Sequence, residues 1–323
     1  MEFPNNSQLW SNMFVLVGIP GLESDHIWIS IPLSIMYLTA ILGNGVILFL
    51  IASEQRLHNP MCYFLSVLFL TDIFLSNSIA PKMLSIFWAN IKEIDFVSCL
   101  TQMFLVHFLS ALESGILLAM AFDRYVAICN PLHYTSILTN TLIQKIVGAL
   151  IIRGIIIVTP LTIMASRLPY CGTHHISHSY CDHMSVVKLA CTSTTINSAY
   201  GLTVVLLVVV FDAAFIGLSY SMILRTVLGL STRTAKKKAL RTCTSHICVI
   251  LLSYTLGLFS IITHRIGHIV PTIHVTFSNL YLLFPPMLNP LVYGAKTKEI
   301  RNAAFRLFFH SFPWKERIVN FLS

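Results

Sequence analysis

The stretch Cys99–Tyr134, CLTQMFLVHFLSALESGILLAMAFDRYVAICNPLHY, decides the fold. From Cys99 to Ile128 it has no proline and a single glycine, and helix formers are frequent. As an α-helix, Cys99 to Arg124 measures about 38 Å, longer than a bilayer's hydrocarbon core of roughly 30 Å. The spacing therefore puts Cys99 at one membrane surface and Asp123-Arg124-Tyr125 at the other. Between them stand His107, Ser110, Glu113 and Ser114. Such polar groups are costly in lipid and turn toward a protein interior. His107 and Ser114 lie nearly two turns apart and share a face. Glu113, Leu117, Met120 and Arg124 share another. The first face reads as ligand-facing near the Cys99 end, and the second as the route that carries a change to Arg124. The competing reading makes both faces helix–helix packing surfaces, for which a small residue such as Ser114 is suited.

Composition supports the membrane reading. Hydrophobic residues make up 55% of 323 positions and charged residues 11%, with a mean hydropathy of +0.76. These values exclude an ordinary soluble domain and indicate a polytopic membrane protein. A net charge of +8 would suggest nucleic acid in a soluble chain. Here it reads as loop charge that fixes topology, and no nucleic-acid partner is expected. Eight cysteines without a CxxC pair do not form a zinc site or a disulfide-dense scaffold.

Seven apolar segments follow one another at about 28–52, 60–84, 97–129, 142–166, 198–228, 239–263 and 273–294. The predicted organisation is a leader over 1–26, a seven-helix domain over 27–295 and a tail over 296–323. The leader carries one glycosylation sequon, Asn5-Asn6-Ser7, and no cleavable signal: Met13–Ile19 is short, is ended by Pro20 and has no preceding Lys or Arg. With the leader outside, fifteen of the 21 Lys and Arg residues fall in cytoplasmic positions, against Lys82, Lys92, Arg167, Lys188 and Arg265 outside. That bias predicts an extracellular N-terminus and a cytoplasmic C-terminus.

The loop over 167–197 holds Cys171, Cys181 and Cys191, and Cys99 is within its reach. Facing an oxidising compartment, these four allow three disulfide pairings. Cys62, Cys129, Cys243 and Cys248 are expected to be free. The loop's His174, His175, His178 and His183 read as solvated or hydrogen-bonded histidines rather than as a metal or pH site, because loop spacing does not fix ligand geometry. The basic run Ser231–Arg241 is a positive-inside anchor that also suits anionic lipid. Ala303–Phe309 reads as a short helix lying on the inner membrane surface.

Particular runs carry a resemblance. Seven spans, the Asp123-Arg124-Tyr125 triplet, Asn289-Pro290 with Leu291, Val292 and Tyr293, and Asn44 and Asp72 look like a rhodopsin-like G-protein-coupled receptor. Met120–Tyr134, Leu57–Phe64, Lys238–His246 and Pro286–Tyr293 resemble the signature runs of odorant receptors, with Phe122 and Cys62 where tyrosines are usual. Tyr254 stands in segment six, which lacks the usual Trp and Pro. Gly18–Leu22, His178–Met184 and Gly294–Ile300 look like the fish-like class I branch. The resemblance covers essentially the whole chain.

It implies an all-α seven-helix bundle that is not an enzyme. It also implies a water-soluble ligand, often a carboxylic acid, and coupling to a stimulatory G protein that raises cyclic AMP at the plasma membrane. It further implies Cys99–Cys181 and Cys171–Cys191 pairing. Arg265, in Thr263-His264-Arg265, matches the position that holds the acid head group, which a guanidinium grips through two charge-assisted hydrogen bonds. The competing reading is an Arg that snorkels to water. His107, Ser110, Ser114 and Ile261 complete the expected pocket, with apolar residues near 204–208 and 257–261 around the ligand tail. Asp123, Arg124, Tyr125, Tyr220, His246, Asn289, Pro290 and Tyr293 match the coupling and activation positions. Asp72 and Glu113 are paired carboxylates that need a proton or a cation between them; the resemblance implies sodium. Asp212 and Arg153 are further charges at membrane depth to which the sequence assigns no partner. No phosphate loop, nucleophile elbow or HExxH motif is present. A receptor for metabolites outside olfaction, and a small ion-coupled transporter, are the rival classes; a transporter would show repeated halves, which this sequence lacks.

Overall fold

The computed structural model describes residues 13–171, 174–265 and 270–310. Seven long helices form the bundle: α1 His26–Ser53, α2 Pro60–Ala89, α3 Phe96–Cys129, α4 Asn140–Ser166, α5 Thr195–Gly229, α6 Arg233–Arg265 and α7 Pro271–Lys296. A shorter α8, Lys298–His310, follows. Six of the seven are long and apolar enough to cross a membrane. The seventh, α7, is diluted by inward-facing Ser278, Asn279 and Asn289. Long exposed apolar side chains such as Ile35, Leu42, Ile156 and Leu207 cover the outside of the bundle, as lipid contact requires.

Local chemistry sets the helix ends. Asn59 caps α2 by accepting from the Cys62 N–H at 3.1 Å, with Pro60 at the first helical position. Asp95 caps α3 by accepting from Val97 and Ser98. At the far end of α2, Asn90 adopts φ 53°, the left-handed stop that asparagine tolerates. In α7, Pro290 has no N–H to offer the Pro286 carbonyl four residues back. The Asn44 amide of α1 donates to that carbonyl instead, at 2.9 Å. Gly43 permits this approach, because a Cβ there would stand 2.8 Å from the Pro290 ring.

The segment met first is the hub: α3 packs on α2, α4, α5 and α6. One core cluster fills the end near Asp123, with Phe64, Leu68, Ile116, Met120 and Tyr293. The other fills the end near Cys99, with Phe14, Met83, Met103, Cys181 and Val186.

Part of the leader is a strand, which the sequence reading did not place there. Strand β1, Met13–Leu16, pairs antiparallel with β2, Glu93–Asp95, and parallel with β3, His175–Ile176. Its alternate residues Phe14 and Leu16 are buried, and Phe14 packs edge-on against Tyr170 at 5.4 Å. The three-strand sheet covers the Cys99 end of the bundle. At the opposite end α8 forms a helix over the run expected to be helical, burying Ile300 and Ala303 and exposing Phe305. Arg306 of α8 donates to Glu54 at 3.2 Å. Asn5 lies outside the described residues.

Candidate functional site

Near the disulfide end, α3, α5, α6, α7 and the long loop line a cavity of about 180 Å³. Two disulfides, Cys99–Cys181 and Cys171–Cys191, fix the loop above it. Gln102 of α3 adds a clamp: its side chain accepts from the Cys181 N–H at 2.9 Å and donates to the Ser78 carbonyl of α2 at 2.7 Å. Cys62, Cys129, Cys243 and Cys248 are free thiols.

Four of the residues expected in a pocket, His107, Ser110, Ser114 and Ile261, line this cavity together. Val204, Val205 and Val208 of α5 and Gly257 and Leu258 of α6 supply apolar walls. Glu113 and Leu117 line it as well, so the two faces of α3 separated in the sequence reading open onto one space. Sequence reasoning did not place Tyr180, Asp182 and Tyr281 there. The loop's path over the cavity, which the disulfide decides, brings in the first two. The position of Arg265 is one turn, about 6 Å, beyond Ile261 on the same face of α6; its side chain lies outside the described residues.

The loop histidines separate into two kinds, solvated and buried. His175 is exposed, whereas His178 and His183 are buried. His178 stands edge-on to Tyr180 at 4.2 Å, and His183 to His107 at 6.3 Å. Among the described residues no three His, Cys, Asp or Glu side chains are grouped to hold a metal ion. Burial, and then the Asp182 charge, push the Tyr180 phenol far above its ordinary value, so it stays neutral.

The two unassigned charges find each other beneath the cavity. Arg153 of α4 makes a two-pronged ion pair with Asp212 of α5, both contacts 2.7 Å. Ser114 donates to Asp212 at 2.7 Å and lies 2.8 Å from the Tyr254 hydroxyl of α6. Four helices thus meet in one hydrogen-bonded chain. A wide turn at Leu206–Val210, a π-helical segment, immediately precedes Asp212. Such a bulge re-aims the following residues, and Asp212 is fully buried. Gly154 lets α4 come close enough, since a Cβ there would sit 2.9 Å from the Phe108 ring.

Further down, Asn289 donates to Asp72 at 2.8 Å, and Ser253 lies 3.5 Å from Glu113. Asp72 Oδ1, Ser76 Oγ and Asn289 Oδ1 are buried oxygens without a hydrogen-bond partner among the described residues. That all-oxygen donor set fits a hard cation. At the far end, Tyr134 donates to Asp123 at 2.7 Å, and Arg124 lies 3.7 Å from the same carboxylate. Burial and the Asp123 charge raise the Tyr134 pKa, which keeps it a donor. Tyr220 and His246 hydrogen-bond at 2.7 Å across α5 and α6. Tyr293 is buried against Phe69. Pro290 is buried within α7, and Tyr125 packs beside Ile223, Val227 and Cys243.

A lipid-facing bundle of seven helices, with a roofed cavity at one end and an Asp-Arg-Tyr cluster at the other, defines a helical membrane receptor. Residues 33–311 match the family model described as olfactory receptor. The chain is 50% identical to human olfactory receptor 52N2 over 95% of its own length and 96% of that protein. It is 48% identical to human olfactory receptor 52N4 (94% and 95% covered) and 50% identical to human olfactory receptor 52P1 (95% and 96% covered). The chain belongs to the olfactory receptor family. It is therefore a multi-pass plasma-membrane receptor of the G-protein-coupled class, not an enzyme.

Proposed function

We propose that this receptor answers small carboxylic acids and couples to a stimulatory G protein that raises cyclic AMP. The observation that carries the reading is the cavity of about 180 Å³ with His107, Ser110 and Ser114 on one wall and Val204, Val208 and Ile261 on the others. A cavity of roughly 150 Å³ accommodates benzene, so this one suits a ligand of comparable or slightly larger size. Apolar walls with a few polar groups hold such a ligand in one orientation. Arg265, one turn beyond Ile261, is the cation that receives the carboxylate.

The disulfide end and the leader face the outside, in line with the Lys and Arg distribution. Asn5 is then available for glycosylation. Ligand in the cavity biases the Ser114–Tyr254 contact that ties α3 to α6. The far ends of α5 and α6, joined by Tyr220 and His246, then part from Asp123-Arg124-Tyr125 to admit the G protein. Asp72, Glu113, Ser76 and Asn289 would hold a sodium ion that stabilises the resting packing. Arg265→Ala is expected to abolish cyclic-AMP responses to short acids while surface expression persists. Unchanged potency would remove Arg265 from the site.

A further inference from the structure

The hydrogen-bonded chain beneath the cavity has a fixed proton order. Arg153 donates through two guanidinium nitrogens to both carboxylate oxygens of Asp212, each at 2.7 Å. A guanidinium has no acceptor, so Asp212 accepts at both oxygens. The Ser114 hydroxyl therefore commits its single proton to Asp212 Oδ2, at 2.7 Å. Ser114 Oγ also lies 2.8 Å from the Tyr254 hydroxyl. With the serine proton already committed, the phenol is the donor in that contact. The order runs from Tyr254 to Ser114 to Asp212, and Arg153 closes it from the other side. A hydroxyl has one proton and two lone pairs. Both protons are engaged within the chain, so Ser114 and Tyr254 turn only lone pairs toward a newcomer. Both residues line the cavity, as do the apolar Leu117, Val205 and Val208. Asp212 is fully buried, so the cavity meets the hydroxyl oxygens and not the charge that orders them.

A ligand O–H at this floor would find two acceptors. An ether oxygen there would set lone pair against lone pair and lose its water without a replacement. A site built to hydrogen-bond a hydroxyl rejects the analogue that lacks it. We propose that Ser114 and Tyr254 form an acceptor-only subsite, which selects small ligands that carry a hydroxyl at the inner end over ethers of the same size. Arg153 and Asp212 are positioning residues that set its polarity. The subsite rests on the reading of the cavity as the ligand site given above, and it is the same whichever group holds a carboxylate.

The test compares two pairs of isomers in a cyclic-AMP dose–response assay on surface-stained cells: 5-hydroxypentanoate against 4-methoxybutanoate, and 1-pentanol against butyl methyl ether. The receptors are wild type, the conservative Ser114→Thr, and Ser114→Ala/Tyr254→Phe, which removes both oxygens. Wild type should prefer the hydroxyl isomer by about tenfold, or about 1.4 kcal/mol, in whichever pair it answers. Ser114→Thr keeps the hydroxyl and should keep the preference. In Ser114→Ala/Tyr254→Phe the preference should fall below about threefold. A merely structural role would weaken both isomers alike and leave their ratio unchanged. Ligand-induced rise of the melting midpoint of the detergent-solubilised receptor gives the same ratio without signalling, and it decides wherever a variant is silent or absent from the surface. Equal potency of the isomers on wild type overturns the proposal, as does a preference that survives the loss of both oxygens. Silence of surface-expressed wild type toward all four compounds, with no thermal shift, overturns the cavity reading together with the subsite. A response to the alcohol pair alone overturns the acid reading and leaves the subsite standing.

Discussion

Breaking the Arg153–Asp212 pair from one side should cost far more than removing it whole. The asymmetry follows from burial: the Arg153 side chain is 24% exposed and Asp212 is fully buried. Arg153→Met leaves Asp212 with the Ser114 hydroxyl as its remaining partner among the contacts described. Losing one member of a buried pair costs about 3–5 kcal/mol, and this is the worse direction, so about 4 kcal/mol is expected. Asp212→Leu leaves Arg153, the less buried partner, with the Ala111 carbonyl at 3.4 Å as an acceptor, so its cost should be smaller, about 2 kcal/mol. The double variant Arg153→Met/Asp212→Leu leaves no orphan charge and should return near wild type, because apolar replacement of a buried pair is often neutral. For 323 residues, an unfolding entropy of about 2.1 cal/mol/K per residue gives about 0.7 kcal/mol/K. Arg153→Met should then lower the melting midpoint by about 6 °C, and the double variant by less than about 2 °C. Thermal denaturation of the detergent-solubilised receptor, followed by size-exclusion chromatography of a fluorescent fusion, reads this directly. If the two single losses simply add in the double variant, the two side chains do not form one unit and the reasoning fails.

Three more outcomes are expected. Cys99→Ser should prevent delivery to the cell surface, because the loop over the cavity loses its tie to α3; surface staining at the wild-type level would count against that role. Gln102→Leu should lower stability by about 1–3 kcal/mol, the cost of an unsatisfied buried N–H at Cys181, readable in the same thermal assay. Gly154→Val should cost about 1–3 kcal/mol by forcing a side chain into the Phe108 ring; a midpoint equal to wild type would show that α3 and α4 do not approach as described.

How much was legible in the residues varies from element to element. The α3 run was read from length, from the absence of proline and from the polar positions His107, Ser110 and Ser114, which do line one cavity. The helix of Ala303–Phe309 was legible because its apolar residues recur at helical spacing beside bases. The role of the leader was missed. Met13–Leu16 alternates too briefly to announce a strand, and its partners, Glu93–Asp95 and His175–Ile176, are about 80 and about 160 residues away in sequence.

The cost of polar groups in hydrocarbon is local and additive along a segment, so the sequence alone determined the number of helices, their order and which residues turn inward. Nothing in it paired Arg153 with Asp212, since two opposite charges at membrane depth demand partners without naming them. The wide turn at Leu206–Val210, the glycine at 154 and the packing of α4 and α5 on α3 decided that match. The same holds for Asp182, an ordinary loop residue by sequence. Only a disulfide closing over 82 residues carries it above the cavity, because which loop residue faces inward depends on where the chain is tied.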